Sequence, residues 1–181
     1  MGINILWDPQ APGGIELPVV RMIAMILGKK PALVEYPFLI DGYDRNRDQH
    51  DAQKILDRLQ DTLTRRYDID GPLLLVTSRD LYVNGFDFVF GLARPPCGVA
   101  IVSTARLGND YYDRVPDDTD LIDRTAKEGA HELGHLLGLD HCPPDPPECV
   151  MFRPKTLDEL DRKRKRLCPA CREALASLGG R

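Results

Sequence analysis

Eleven residues, His131-Glu132-Leu133-Gly134-His135-Leu136-Leu137-Gly138-Leu139-Asp140-His141, constrain this chain more than anything else in it. At about 100° per helical residue, His131 and His135 stand one turn apart on one helix face, so both imidazoles can reach the same ion. Glu132 stands beside them. On the same wheel Ile122, Ala126, Gly129, Ala130, Leu133, Leu136 and Leu137 gather on the opposite side. That pattern predicts a helix anchored on a core, with its polar face turned to a cleft. Gly138 falls where the helix must stop, because glycine takes the left-handed conformation that ends a helix without a steric penalty. The chain can then bring His141 back as a third ligand.

Three neutral imidazoles leave a zinc ion an open fourth position, the mark of a reactive site and not of a structural one. Zinc acidifies a water, and Glu132 can take its proton and deliver it to a leaving nitrogen. The motif therefore points to amide-bond hydrolysis, with His131, His135 and His141 as metal ligands and Glu132 as general base and acid.

Four of the five cysteines lie beside this motif: Cys142, Cys149, Cys168 and Cys171, in a C-x6-C and a C-x2-C arrangement. Four thiolates can close a tetrahedral zinc site with no room for water, which makes it structural and staples the C-terminal tail to the histidine region. Two disulfides or free buried thiols are the alternative. Cys97, alone in Pro95-Pro96-Cys97-Gly98, reads as a core or turn residue. Met151 reads as core filler on its own terms.

The rest of the sequence supplies the frame. With 43% hydrophobic residues and a net charge of 24 − 28 = −4 over 181 residues, the chain has material for a core, and intrinsic disorder is excluded. One domain over 1–181 is expected. Residues 1–138 form an upper part with sheet, helices and active-site helix; residues 139–181 form a lower part with the third histidine, the methionine and the four cysteines.

No run approaches the roughly 18 apolar residues of a membrane span. Met1 to Leu6 lead into Trp7-Asp8-Pro9 with neither a basic nor a long apolar leader, so the expected address is cytoplasmic. The acidic balance argues against a nucleic-acid partner. A monomer acting on a peptide or protein substrate is the expectation.

Short apolar runs bounded by Gly, Pro or Asp predict strands at Ile3 to Leu6, Ala32 to Tyr36, Leu73 to Thr77, Phe86 to Leu92 and Gly98 to Ser103, the first and third of them inner. Between Pro18 and Gly28 a nearly continuous apolar run predicts a buried helix. Ala52, Ile55, Leu56, Leu59 and Leu63 predict an amphipathic one. The fold class is mixed α/β. Residues 105 to 120 read as a surface loop, and His50 as a surface residue. The run Arg162-Lys163-Arg164-Lys165-Arg166, preceded by Asp158, Glu159 and Asp161, reads as the solvated end of a helix from about Leu157 to Arg166.

HELGHLLGLDHC, then Cys149-Val150-Met151, then CPAC resembles the archaemetzincin family of metzincin-clan zinc metallopeptidases. Asp80 to Gly91 and Gly98 to Ser103 are similar to family segments too, so the likeness covers most of the chain. It implies a compact metzincin-like zincin fold, with a twisted, mixed and mainly parallel sheet, an active-site helix and a zinc-stapled C-terminal helical part. It also implies two Zn²⁺ ions per chain. One, catalytic, falls to His131, His135 and His141 with Glu132 as base; the other, structural, falls to Cys142, Cys149, Cys168 and Cys171. Met151 becomes the methionine turn beneath the catalytic ion. The stretch between Cys142 and Cys149 is longer, and that from Met151 to Cys168 shorter, than in the family pattern. By analogy with metzincins, the strand at 98 to 103 is expected to be the sheet edge bordering the cleft, where an extended peptide adds by main-chain hydrogen bonds.

Two other readings of the sequence stand beside the peptidase. One is a zinc-stabilised binding module built on the four cysteines and the basic run. The other is a zinc hydrolase of a small amide.

Overall fold

The structure, a computed structural model, describes residues 2–64, 67, 69–143 and 148–178, with the side chains of Leu63 and Thr64 outside that set. The Leu63 contact expected for the amphipathic helix and most of the Pro143–Pro147 run thus lie outside the described residues. Along the chain come β1 (Ile3–Trp7), α1 (Glu16–Leu27), β2 (Pro31–Val34), β3 (Tyr43–Asp44), β4 (Gln49–Asp51), α2 (Ala52–Leu59), β5 (Leu73–Thr77), β6 (Leu81–Tyr82), β7 (Gly91–Arg94), β8 (Val99–Ser103), α3 (Asp118–Leu136), α4 (Leu157–Arg162) and α5 (Pro169–Leu178).

The main sheet runs β2-β1-β5-β8-β7, parallel throughout except for the antiparallel β7–β8 pair. β1 and β5 are inner strands, as their apolar runs require. A second sheet, β3-β4-β6, carries His50 on β4, where its ring lies 5.1 Å from that of Tyr43. The apolar residues of α2 and Leu73, Leu75, Val99 and Ile101 fill one face of the main sheet. On the other face α1 and α3 pack over Leu74, Val76, Ala100 and Val102. From α1 alone Val19, Ile23, Ile26 and Leu27 are buried. At about 1.5–3 kcal/mol per side chain that is roughly 6–12 kcal/mol, an upper bound given a compact unfolded chain. No helix among the described residues is long and apolar enough to cross a membrane.

Three local expectations change. β8 is not the edge. All five of its residues are buried, and it lies between β5 and β7. The edge is β7, whose four residues are each only partly buried. The strand expected at Phe86 to Leu92 correspondingly starts only at Gly91; residues 83–90 run outside the named strands, held by the Leu81–Val89 bridge to β6 and by the Ser103 N–H donated to the Phe90 carbonyl. Finally, α4 stops at Arg162 instead of running to Arg166. Lys163 caps it in an extended conformation and turns inward.

Candidate metal centre

The site is built from α3 upward. Asp117 caps this helix by accepting from the Thr119 N–H, and α3 then carries His131, Glu132 and His135 past the sheet. The helix ends at Leu136, and Gly138, at φ 93°, makes the left-handed turn that sends Leu139-Asp140-His141 back. The His135 Nε2 atom is 3.2 Å from His131 Nε2 and 3.1 Å from His141 Nε2. The fold thus brings all three histidines of the motif together.

Their outer nitrogens explain what the inner ones can do. His131 Nδ1 lies 2.9 Å from the Val150 carbonyl oxygen, and His135 Nδ1 lies 2.8 Å from that of Leu139. A carbonyl only accepts, so both Nδ1 atoms carry the proton and both Nε2 atoms present lone pairs. The lone pairs of His131 and His135, pointed at one another across 3.2 Å, repel unless a cation sits between them. A tetrahedral zinc with bonds of about 2.0–2.1 Å places its nitrogens about 3.3 Å apart, so the donor set fits that ion. Burial first, and the Lys163 charge with it, holds His131 well below its ordinary value; burial also lowers His135 and His141. Neutral imidazoles are the form that ligates.

Glu132 is buried against the edge strand. A Cβ on Gly91 would stand 2.7 Å from Glu132 Oε1 and 2.9 Å from the Ile101 carbonyl, so only glycine lets β7 and the carboxyl share this space. Burial, and next the charge of Glu128, raise the Glu132 carboxyl well above the usual carboxylate range; Lys163 and Arg153 pull the other way. Below the helix, Met151 is fully buried with its sulfur packed so closely on Gly134 that a Cβ there would clash with it.

The four cysteines form a second group. Cys142 Sγ lies 3.6 Å from Cys168 Sγ and 3.2 Å from Cys171 Sγ, and the sulfurs of all four, Cys149 included, lie within 4.8 Å of one another. No disulfide links them. Four sulfurs at about 2.3 Å from one zinc lie about 3.8 Å apart, so this set also suits a closed tetrahedral site. The Cys171 N–H directed at its sulfur brings the Cys168 thiol down to about 7, while burial pushes Cys142 up to about 12. Cys97 sits apart, packed at the rim of the other core cluster.

One functional residue escaped the sequence. Lys163, read there as part of a solvated helix end, has no exposed side-chain surface; its Nζ donates to Glu128 Oε1 at 2.7 Å and lies 3.3 Å from His131 Nδ1. Because that Nδ1 already donates to Val150, the ammonium stands beside the ring as a charge and does not bond to it. A signal for Glu128 was present. It lies three residues before His131 and four before Glu132, on the histidine face of α3, and a carboxylate buried there requires a cation. Nothing local marks Lys163 within five consecutive basic residues. Arg124, also buried, holds α3 to α4 through both oxygens of Asp161 at 2.7 and 2.8 Å, and donates to Leu107 O and Asn109 Oδ1.

The profile of Peptidase family M54 matches residues 29–177. Over 140 residues the chain is 39% identical to the archaemetzincin of Pyrococcus furiosus, an alignment covering 77% of this chain and 71% of that one. The chain belongs to the archaemetzincin family. Among solved structures, a zinc-dependent peptidase from Methanocorpusculum labreanum superposes with a TM-score of 0.87 at 43% identity, over 96% of this chain and 100% of that one. The archaemetzincin of Methanopyrus kandleri gives 0.80 at 32%, over 99% and 97%. The chain has the α/β zincin fold of those structures, and its class is zinc metallopeptidase.

Proposed function

We propose that this chain hydrolyses peptide bonds with His131, His135 and His141 as ligands of a catalytic zinc and Glu132 as general base and acid. Cys142, Cys149, Cys168 and Cys171 hold a second, structural zinc, giving two per chain. The observation that carries the reading is the convergence of three imidazole Nε2 atoms, those of His131 and His135 unprotonated, beside a buried carboxyl that faces a sheet edge. Zinc bound there supplies Lewis acidity to a water and to the scissile carbonyl.

The residues of the chain do the rest. Val150 and Leu139 hold the tautomers through their carbonyl oxygens. The free side of β7, the true edge, offers main-chain groups to an extended peptide, which lays a carbonyl across the histidines. Glu132 takes a proton from the attacking water at a carboxylate oxygen and returns it to the leaving amide nitrogen. A carboxyl whose affinity for protons is raised by burial suits both halves of that transfer. Met151 floors the histidines from below.

The test is peptide-library cleavage by the zinc-loaded chain and by Glu132→Gln. Cleavage by the wild type and its loss in the variant, with metal content retained, supports the reading. Cleavage that survives Glu132→Gln rejects it.

A further inference from the structure

Arg153 is an exposed cation two residues beyond Met151. Its backbone position is fixed, since the preceding Phe152 is buried, donates its N–H to the Cys149 carbonyl and bridges to Cys142, the neighbour of His141. Among the described residues its guanidinium has no ion pair or hydrogen bond. Arg94, Arg106 and Arg124, by contrast, each hold an aspartate.

Arg153 rests instead on an aromatic ring. Its guanidinium carbon is 5.6 Å from the centroid of Phe86, a half-exposed ring on the segment that leads into β7. That segment is held firmly. Arg47 donates to the carbonyls of Phe86 and Asp87, Gln49 donates to that of Asp87, and the Phe86 N–H donates to Val83. Two walls of the site, one leading into Gly91 and the other leaving Met151, therefore meet in this pair. The positive charge works, as a minor contribution, to lower both Glu132 and His141.

A ring attracts the charge of a guanidinium without accepting its N–H hydrogen bonds in the way an anion does, so the N–H groups of the fork stay available. An exposed cation–π contact is worth only about 0.5–1 kcal/mol, so the stronger partner for that fork is a planar anion bound at two points. The chain supplies none among its described residues, so water satisfies the fork in the free protein and an acidic group of a bound substrate can displace that water.

We infer that Arg153, seated on Phe86, is a carboxylate-recognising subsite of the peptide cleft. Preferred substrates carry a carboxylate within a residue or two of the scissile bond, either the α-carboxylate of a nearby C-terminus or an Asp or Glu side chain. Arg153 is a binding residue and touches no reacting atom. The inference rests on the peptidase reading of the histidine centre.

The experiment uses binding, so it does not depend on turnover. Three hydroxamate-capped dipeptides are titrated calorimetrically into the zinc-loaded full chain: one ending in a free acid, one ending in a neutral amide, and one ending in an amide but carrying a Glu side chain. Wild type should bind at least one acid-bearing probe about ten-fold or more tightly than the neutral one, and Arg153→Gln should bring that ratio close to one. Because the ratio is taken within each variant, general effects on stability cancel. Which acid-bearing probe gains assigns the α-carboxylate or the side chain as source. A wild-type ratio near one, or a ratio unchanged in Arg153→Gln, overturns the subsite while neutral-probe binding keeps the peptidase reading alive. Failure of every probe to bind removes both.

Discussion

The histidine centre and the cysteine cluster are neighbours in sequence and opposites in construction. Residues 141 and 142 belong one to each, and Val150, whose carbonyl accepts from His131 Nδ1–H, stands next to Cys149. The cysteine cluster is self-contained: four thiols converge, and the nearest polar helpers are the backbone N–H groups of Met151, Cys168 and Cys171. The histidine centre offers three donors, leaves His141 exposed, and draws its support from α3, the turn at Leu139, the Val150 carbonyl and the inward Lys163. A closed set of ligands needs only itself. An open one has to be braced from several elements, and that is the physical cost of leaving room for a substrate.

The comparison can be broken at its open side first. Glu132→Gln should lower kcat/KM on a cleaved peptide by about 10²–10⁴, the usual contribution of general acid–base catalysis, while both metals stay bound. Next comes the brace. Lys163→Met leaves the buried Glu128 carboxylate unpaired, and denaturant unfolding should show a loss of about 3–5 kcal/mol. The double variant Glu128→Gln, Lys163→Met should recover most of it; a double variant no better than the single one means that the pair is not what Lys163 serves. Gly91→Ala drives a Cβ against Glu132 and the Ile101 carbonyl, and about 1–3 kcal/mol of stability should go with it, together with peptide cleavage.

The smallest effect is one of pH, in the metal-free chain. Burial holds His131, His135 and His141 below their ordinary 6.5. As pH falls through 6.5 the unfolded chain gains protons that the folded chain refuses, so the contribution of these groups is present above that pH and is lost below it. Glu132 acts in the opposite sense: its folded value is raised, so its contribution is present at low pH and is lost as pH rises through that value. Stability of metal-stripped wild type should therefore fall more steeply between about pH 7.5 and 5.5 than that of the triple His→Ala variant. Equal slopes would show that the imidazoles are not held neutral by the fold.

What could be read from the sequence was what repeats locally. His131 and His135 at helical spacing, Gly138 at the stop and the burial of β1 and β5 all follow from periodicities of a few residues. The rest depends on who lies next to whom. Val99 to Ser103 reads as an apolar strand whether it is central or at the rim, and only the antiparallel return of Gly91 to Arg94 makes it central. Gly91 looks like any strand-entry glycine until Glu132 is packed on it. Lys163 is indistinguishable from Arg162 and Arg164 until the end of α4 rotates it inward to Glu128, a partner 35 residues away.

The most direct test of the central claim is metal content per chain, measured by elemental analysis on wild type, on His131→Ala, His135→Ala, and on Cys168→Ser, Cys171→Ser, with peptide cleavage followed on the same samples. About two zinc ions in wild type are expected, with about one remaining in each double variant. In the histidine variant cleavage should vanish while the cysteine zinc stays. A single zinc in wild type that survives the histidine changes, with no cleavage from any sample, would contradict the account and leave only the four-cysteine staple.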